Sequence, residues 1–337
     1  MTTNPRGTEL VREAVLAHPD TPSRQLARIL RKQHPHVWSS YEAAYNAVRR
    51  RRGAHGKKNR EDGCVVIGST PASEFNPLNP LALPASHAKD LEPFLFDGVS
   101  RVLSIGDLHL PYHDVPAVTA ALQEGIRRQV GGILINGDLV DFHTLSKFDR
   151  EPDAVSFKEE RRIGKEFLAI LRRTFPKARI VLKLGNHDER CQHFMMRKAP
   201  EIYDEEIHGF DAMFGLPALG IELVQEKRIV MVGKLPVLHG HELPKGISNP
   251  VNAARGAFMR TGSIVLINHL HQTSQHTETA PLTHHMITTW SSGCLCGLRP
   301  QYAPYNKWNH GFNMIEVEKD GEFLLDNFRI FNGKILP

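Results

Sequence analysis

Five short blocks of the sequence combine aspartate, asparagine and histidine residues, whose side chains bind metal ions. They read SIGDLHL, LINGDLVDFH, LKLGNHDER, LHGHE and NHLHQT, over residues 104–110, 134–143, 182–190, 238–242 and 268–273. Carboxylate and amide oxygens mixed with imidazole nitrogens suit Mn²⁺, Fe or Zn²⁺ better than Ca²⁺ or a thiolate-bound structural zinc. The blocks therefore predict a transition-metal centre.

Each block follows a short apolar run that reads as a buried strand. These runs are residues 102–105, 133–135, 180–184, 237–238 and 264–267, and helical patterns over 116–130 and 157–175 separate the first three. Alternating strands and helices indicate an α/β fold, and open α/β sheets place their sites at the carboxyl ends of the strands. We therefore expect five adjacent strands to bring the blocks together. The glycines before Asp107, Asp138 and Asn186 allow the tight turns that this needs.

The order and form of the blocks resemble the calcineurin-like metallophosphoesterase superfamily, whose signature is DxH, GDxxD, GNH(D/E), a lone His and GHxH. The resemblance covers about residues 100–335, and DLHLPYHD and the segment from WSSGCLCG to NKWNHGF are most similar to metallophosphoesterases of phage and prophage origin. It implies a four-layer α/β/β/α sandwich that hydrolyses phosphoesters. Asn268 departs from the usual Gly, but Asn tolerates left-handed backbone angles, so we expect the turn to be kept.

The resemblance also implies a role for each residue of the blocks. Two divalent ions, Mn²⁺ first with Fe, Zn²⁺ or Ni²⁺ as alternatives, would share a bridging hydroxide that acts as the nucleophile. One ion would be bound by Asp107, His109 and His271, the other by Asn186, His239 and His269, with Asp138 bridging the two. The simpler alternative for the Asp and Asn residues is that they cap helices.

By the same resemblance, His187 is the general acid that protonates the leaving alkoxide, and Asp141 orients its imidazole. The alternative for His187 is a supporting position behind the reacting groups. His241 is a rival ligand to His239, although the family uses the first His of HGH.

Four other residues lie in or near the blocks. Arg190 and His310 are candidate substrate contacts. Cys294 and Cys296 are predicted to be buried thiols, because C-x-C alone indicates a metal only weakly. None of the four cysteines forms a CxxC pair, and we expect all of them to be reduced.

The first 62 residues are predicted to form a separate basic module. They hold thirteen Lys or Arg against six acids, a net +7, whereas the whole chain carries +5. Helical spacing predicts three short helices: one over residues 8–18, one starting at Thr21-Pro22, and one with a capping box of Ser39 and Glu42. Recurrent prolines predict a linker over 63–98, which leaves 99–337 for the phosphoesterase domain.

Three such helices with a cationic third helix resemble a helix-turn-helix unit, and this resemblance favours nucleic acid, DNA above all, as the partner. The candidate contacts are Arg49, Arg50, Arg51, Arg52, Lys57 and Lys58. Consecutive arginines spread around a helix, so they predict a general electrostatic grip rather than base reading. A solvated basic tail and a protein-docking bundle are the alternatives.

The predicted function is that of a phosphodiesterase or nuclease on DNA or RNA. The alternatives are hydrolysis of phosphomonoesters or small nucleotides, a Ser/Thr protein phosphatase, and an inactive binding scaffold. Phe142 argues against the protein phosphatase, because that branch has Arg right after GDxxD. The chain has no apolar run of the roughly 18 residues that a membrane span needs and no signal peptide, so we expect a cytoplasmic protein without a membrane partner.

Overall fold

The computed structural model describes residues 5–18, 21–52, 83–88, 90–146, 154–225, 227–243 and 252–336. The chain divides into two compact units, Met1–Lys89 and Asp90–Pro337. Lys57, Lys58 and most of the predicted linker, 63–98, lie outside the described residues.

The first unit contains three helices, α1 Pro5–Ala17, α2 Ser23–Gln33 and α3 Tyr41–Arg52. Their apolar faces pack into a small core of Val11, Val15, Leu26, Ala27, Leu30, Trp38, Ala44 and Val48. The third helix starts one residue later than the predicted capping box, because Ser40 directly precedes it and Ser40 Oγ accepts a hydrogen bond from the Ala43 N–H (3.2 Å).

The second unit is built from two sheets. Its strands are β1 Phe94–Leu95, β2 Arg101–Ile105, β3 Gly132–Asn136, β4 Arg179–Lys183, β5 Ile221–Val224, β6 Val230–Val232, β7 Leu235–Leu238, β8 Val265–Ile267, β9 Ser274–Thr279, β10 Met286–Ser291, β11 His310–Val317, β12 Phe323–Phe331 and β13 Lys334–Leu336. The larger sheet has the order β13-β12-β11-β2-β3-β4-β5, and the smaller sheet has the order β1-β6-β7-β8-β10-β9.

Helices connect and cover these strands. They are α4 Val115–Arg127, α5 Phe157–Thr174, α6 Arg190–Lys198, α7 Glu205–His208, α8 Phe210–Phe214 and α9 Ala253–Thr261, with single 3₁₀ turns at His143–Leu145, Pro200–Ile202 and Pro217–Leu219. Strand β2 pairs in parallel with β3, and β3 with β4, because helices α4 and α5 return the chain to the same end of the sheet.

Alternate residues of the central strands face two different cores. Val102, Leu134 and Val181 point towards the smaller sheet and pack there with Val237 and Leu266. Their neighbours along the strands pack with the helices on the other face, in a core that includes Leu103, Ile105, Ile133, Ile135, Ile180, Leu182, Ala121 and Leu168.

The outer face of the smaller sheet is covered as well. Ala257 of α9 packs there against Leu238, Val265 and Ile267. The order of layers is therefore helices, large sheet, small sheet, helix, which confirms the predicted α/β/β/α sandwich.

The end of the predicted linker belongs to the smaller sheet. Phe94 N–H donates to Ile229 O (2.7 Å) and Phe96 N–H donates to Met231 O (2.8 Å). Phe96 is fully buried in the core between the sheets, so these apolar residues extend the domain towards the N-terminus. None of the helices in the described part of the chain has the length and hydrophobicity that a bilayer crossing requires.

Candidate metal centre

The five blocks meet where the two sheets face each other, at the carboxyl ends of strands from both. The first three follow β2, β3 and β4 of the larger sheet, whereas LHGHE and NHLHQT follow β7 and β8 of the smaller one. Strands β7 and β8 pair in parallel, so their ends also lie side by side. The expectation of five adjacent strands was wrong, because the smaller sheet supplies the last two blocks from across the interface.

Asp138 lies at the middle of the cluster. Its Oδ2 is 3.2 Å from His239 Nε2 and 3.6 Å from His109 Nε2, and its Oδ1 accepts from the His187 N–H (2.9 Å). Burial disfavours the charged carboxylate, but the nearby His239 and His187 imidazoles hold the pKa of Asp138 well below its usual range. One carboxylate thus contacts side chains that were predicted to bind two different ions.

Asp107, His109 and His271 lie on one side of Asp138, and we call this group the first position. His271 Nε2 is 3.2 Å from Asp107 Oδ1 and 3.3 Å from His109 Nε2. Burial favours the neutral forms, but the two groups hold each other charged, with the pKa of Asp107 lowered to about 2 and that of His271 raised to about 10. A cation bound among these atoms would replace the proton on His271.

His239 and His269 lie on the other side, and together with Asn186, the third ligand predicted for that ion, we call them the second position. Ligand atoms of Asp138, His239 and His269 lie within 4.8 Å of one another. Asn186 Oδ1 is buried and makes no hydrogen bond to any residue that the structure describes. Burial and the neighbouring His239 lower the pKa of His269 to about 4, which keeps this imidazole neutral, as a metal ligand must be.

The ring of His239 is held in one orientation. Its Nδ1–H donates to Asn136 O (2.8 Å), which leaves Nε2 directed at Asp138. A backbone carbonyl on the far nitrogen is a common way to fix the tautomer of a metal-binding histidine.

Five of the seven predicted ligands have left-handed backbone angles, with φ between 47° and 69°. They are Asp107, His109, Asp138, His269 and His271. Such angles cost about 1–3 kcal/mol for each residue other than glycine, and they persist where surrounding contacts enforce them. Backbone strain is thus concentrated at this cluster.

Asn268 does not have left-handed backbone angles, so the turn makes no use of its tolerance of them. Instead its side chain contributes to the site, because Nδ2 donates to Asp107 Oδ2 (3.2 Å) and Oδ1 accepts from Asn136 Nδ2 (2.8 Å). The residue that departs from the family signature therefore orients a predicted ligand.

Two of the block glycines are required by close approach. A Cβ on Gly137, whose φ is +84°, would overlap the His239 ring, and a Cβ on Gly185 would overlap the Asp138 carboxylate. Gly185 has no left-handed φ, so here the need is space rather than backbone freedom.

His187 and Asp141 lie together as predicted from the motifs. His187 Nδ1–H donates to Asp141 Oδ1 (2.8 Å), and Arg190 Nη2–H donates to His187 Nε2 (3.1 Å). Because arginine only donates, His187 Nε2 must carry the lone pair and Nδ1 the proton. Arg190 also donates from Nη1 to Asp141 O (2.7 Å), so these three residues form one network.

Asp141 has a second contact that motif reading missed. The same Oδ1 accepts from His109 Nδ1 (3.0 Å), so it serves an imidazole of the first position as well as His187. Both imidazoles lower the pKa of Asp141 far below its usual range against the effect of burial. The residue predicted to orient one histidine therefore contacts two.

A buried ion pair supports the second position. Lys183 Nζ lies 2.8 Å from Glu242 Oε1, and Glu242 accepts from the His239 N–H (3.2 Å) and the Gly240 N–H (2.6 Å). Sequence reasoning missed this pair, although a lysine ending the apolar strand β4 was a signal for it. His241, the rival ligand, faces Glu189 and Glu242 instead, at 3.4 and 3.6 Å.

A cavity of about 360 Å³ opens beside the first position. Its lining includes His109, Asp141, Tyr112, Arg299, Tyr302 and Trp308. Trp308 meets the His271 ring edge to face at 4.2 Å between ring centroids. The aromatic run from Tyr302 to Trp308 was the signal that could have pointed to this wall.

His310, a candidate substrate contact, does not line this cavity. It is buried in β11, where its Nε2–H donates to Cys296 O (2.9 Å).

In the first unit, the four consecutive arginines have different surroundings. Arg49 and Arg50 are exposed, whereas Arg52 donates to His18 O (2.8 Å), Thr21 O and Ser23 Oγ (3.4 Å). Arg52 therefore ties the end of α3 to the connection between α1 and α2.

Comparison with known proteins agrees with this arrangement. The sequence profile of the calcineurin-like phosphoesterase family matches residues 100–307, well over half of the chain. Vacuolar protein sorting 29 from Cryptosporidium parvum is 16% identical, with a TM-score of 0.39 over 71% of this chain and 96% of its own. YfcE, a phosphoesterase from E. coli, is 12% identical, with a TM-score of 0.33 over 67% of this chain and 98% of its own. No match was found among curated proteins. On the profile match, the chain belongs to the calcineurin-like phosphoesterase family.

Proposed function

We propose that this protein hydrolyses phosphodiester bonds of DNA or RNA with the help of two divalent metal ions. The observation that carries the proposal is the cluster of the Asp107 and Asp138 carboxylates with the imidazoles of His109, His239, His269 and His271. These donors fit two cations, because Asn186 Oδ1 is a buried acceptor that no described residue satisfies and the carboxylates stay ionised.

Asp107, His109 and His271 would hold one ion, Asn186, His239 and His269 the other, and Asp138 both. Two ions bound there would supply an activated water and neutralise the charge that develops on the phosphoryl group. The protein itself holds these donors in one arrangement through Asn136, Asn268, Asp141 and Glu242.

His187 is suited to move the proton that the leaving group needs. Its Nδ1–H is fixed on Asp141, so Nε2 is the atom that takes and gives a proton. Nε2 lies 4.0 Å from Asp138 Oδ2, beside the ligand cluster, and the side chain keeps 15% exposure, which leaves it in reach of substrate. The Arg190 guanidinium next to it donates to His187 Nε2 and Asp141 O, and its other N–H groups can bind a phosphate oxygen.

Phe142 supports a substrate other than a phosphoprotein. Its side chain is fully buried and packs on Phe157 and Phe214, with ring centroids 5.1 and 6.2 Å away. The position that carries the phosphate-binding Arg in protein phosphatases thus points into the hydrophobic core here.

The cavity beside the first position supports a nucleotide substrate. Tyr112, Tyr302 and Trp308 offer aromatic faces, and Arg299 adds a positive charge. Aromatic side chains stack on nucleic-acid bases without preference for sequence, at about 1–3 kcal/mol per base. A base that leaves the stack could occupy this cavity while its phosphate reaches the metal centre.

The first unit supports a nucleic-acid partner through a row of side chains on α2 and α3. The Tyr41 and Tyr45 rings stack at 5.9 Å with an interplanar angle of 6°. Arg28 lies over Tyr41 and Arg49 over Tyr45, each with its guanidinium carbon 6.0 Å from the ring centroid. Alternating guanidinium and aromatic groups bind the phosphates and bases of single strands.

Substrate assays with purified protein and added Mn²⁺ test the proposed activity. The panel is single-stranded DNA, duplex DNA, RNA and p-nitrophenyl mono- and diesters, and we expect cleavage of diesters. Activity confined to monoesters would contradict the nuclease assignment and favour the phosphomonoesterase alternative. His187→Ala should lower kcat about 10²- to 10⁴-fold on nucleic acid but much less on p-nitrophenyl esters, whose leaving group needs no proton.

Binding assays in the full-length protein test the row on α2 and α3. Arg28→Ala combined with Arg49→Ala should weaken binding to single-stranded DNA and lower the salt slope by about 1 for each arginine removed. Arg12→Ala, an exposed residue of α1, is the matched control. An equal loss in the control would refute a localised contact.

A further inference from the structure

Cys296 lies against the first position, although it belongs to none of the five blocks. Ligand atoms of His109, His271 and Cys296 lie within 4.8 Å of one another, and Cys296 is only 4% exposed. Sequence reading treated it as a buried thiol, because nothing along the chain connects residue 296 with residues 109 and 271. The fold brings the thiol to two imidazoles that already face Asp107 and Asp138.

The backbone holds Cys296 in this place from several sides. Its neighbours are fixed because Leu295 N–H donates to Asp107 O (3.1 Å) and Gly297 N–H donates to Tyr112 O (2.8 Å). Its own carbonyl accepts from His310 Nε2–H (2.9 Å). Cys296 is thus anchored to the segment that carries Asp107 rather than lying on a loose loop.

A second observation also points to a ligand here. Asp107 has no exposed surface, and its Oδ1, which lies 3.2 Å from His271 Nε2, has no hydrogen-bond partner within the described ranges. Cys294, two residues away, differs clearly, because its Sγ lies 3.7 Å from Asn309 O and it is in no donor group with the histidines. Only one thiol of the C-x-C pair therefore belongs to the metal centre.

We propose that Cys296 supplies a thiolate to the metal of the first position, which would then select Zn²⁺, Co²⁺ or Fe²⁺ over Mn²⁺. On binding, the thiol proton leaves to solvent and a sulfur–metal bond forms. Soft thiolate ligands favour these metals, whereas carboxylate and water suit Mn²⁺. This inference rests on the two-metal site of the proposed function and adds a ligand and a metal class to it.

Cobalt titration of the metal-free, full-length protein is the test. Thiolate bound to Co²⁺ gives an intense near-ultraviolet charge-transfer band, so wild type and Cys294→Ser should develop the band while Cys296→Ser should lack it. In a competition titration between Zn²⁺ and Mn²⁺, Cys296→Ser should also lower the ratio of the Zn²⁺ affinity to the Mn²⁺ affinity by at least about tenfold.

Each other outcome of the titration overturns the inference. Wild-type protein that binds Co²⁺ without the band would show that the thiol is no ligand, and so would a Cys296→Ser variant that keeps the band. Hydrolysis of phosphoesters by that wild type would leave the proposed function standing. If wild type binds no Co²⁺, Zn²⁺ or Mn²⁺ at all, the inference and the proposed function fail together.

Discussion

The two candidate metal positions share Asp138 but are supported in different ways. At the first position, side chains give the support, since Asp141 holds His109 and Asn268 holds Asp107. At the second position, a backbone carbonyl, Asn136 O, holds the His239 ring, and Glu242 of the buried ion pair accepts from the His239 N–H. The first position borders the open cavity through His109, whereas none of Asn186, His239 and His269 lines it.

This difference separates two tasks. A position supported by side chains that also contact His187 can couple metal binding to proton transfer. A position supported by a backbone carbonyl and a buried ion pair suits an ion that stays bound. We therefore expect the first position to govern activity and the second to govern stability, and the predictions below test that division.

The largest effect is expected at the residue that both positions share. Asp138→Asn removes the bridging charge, and activity should fall by about 10³-fold or more, because metal ions supply several kcal/mol of transition-state stabilisation and about 1.4 kcal/mol is tenfold. Kinetics with elemental analysis measures this, with the exposed Asp90→Asn as control. Retention of both ions and full activity would contradict a shared ligand.

Glu242→Gln should act on stability and on the second position. It removes the charge that pairs with the buried Lys183 ammonium, and breaking a buried ion pair in this way destabilises proteins by about 3–5 kcal/mol. Chemical unfolding with chelator present isolates this effect. The matched control is Glu322→Gln, which breaks the exposed Lys234–Glu322 pair and should cost less than about 1 kcal/mol. Equal changes in the two variants would refute the buried pair as a support.

Asp141→Asn should act on the first position. The neutral amide keeps the shape but not the charge that holds His109 and His187, so affinity for one of the two ions should fall about 10- to 100-fold. Calorimetric titration resolves the two binding events. The free energy of unfolding without metal should change less than in Glu242→Gln. An equal loss of affinity for both ions would contradict the proposed division between the two positions.

The smallest effect concerns Glu160, which lies behind Asp141 on α5. Its side chain is buried, Oε1 accepts from the His143 N–H (3.3 Å), and burial raises its pKa from 4.5 to about 8. The folded protein then holds a proton that the unfolded chain releases, so this contribution to stability is lost as pH rises from 4.5 through about 8.

Glu160→Gln should remove this dependence and raise the melting temperature by a few degrees at pH values above 8 but not near 4.5. Melting curves across this range measure it. The exposed Glu166→Gln on the same helix should leave the dependence as it is. A pH dependence that is the same in wild type and in Glu160→Gln would show that Glu160 is ionised in the folded protein.

Much of the fold could be predicted because the strands are short, buried and apolar. Residues 102–105, 133–135 and 180–184 were predicted as strands, and the structure has Arg101–Ile105, Gly132–Asn136 and Arg179–Lys183. It was harder to predict which strands pair with one another, because the sequence patterns of β7 and β8 do not show which sheet these strands join. The nucleic-acid contacts and the roles of His187 and Asp141 stay predictions.

The sequence by itself determined which donors the site has and that each stands just after a strand, because residue type and apolar periodicity are local properties. Only the tertiary structure decided that two sheets share the site, that one oxygen of Asp141 serves two imidazoles, and that Cys296 reaches the first position. These contacts join residues far apart in the chain, such as His109 and His271 at a separation of 162. Local patterns do not encode them, because they arise only when the sheets pack.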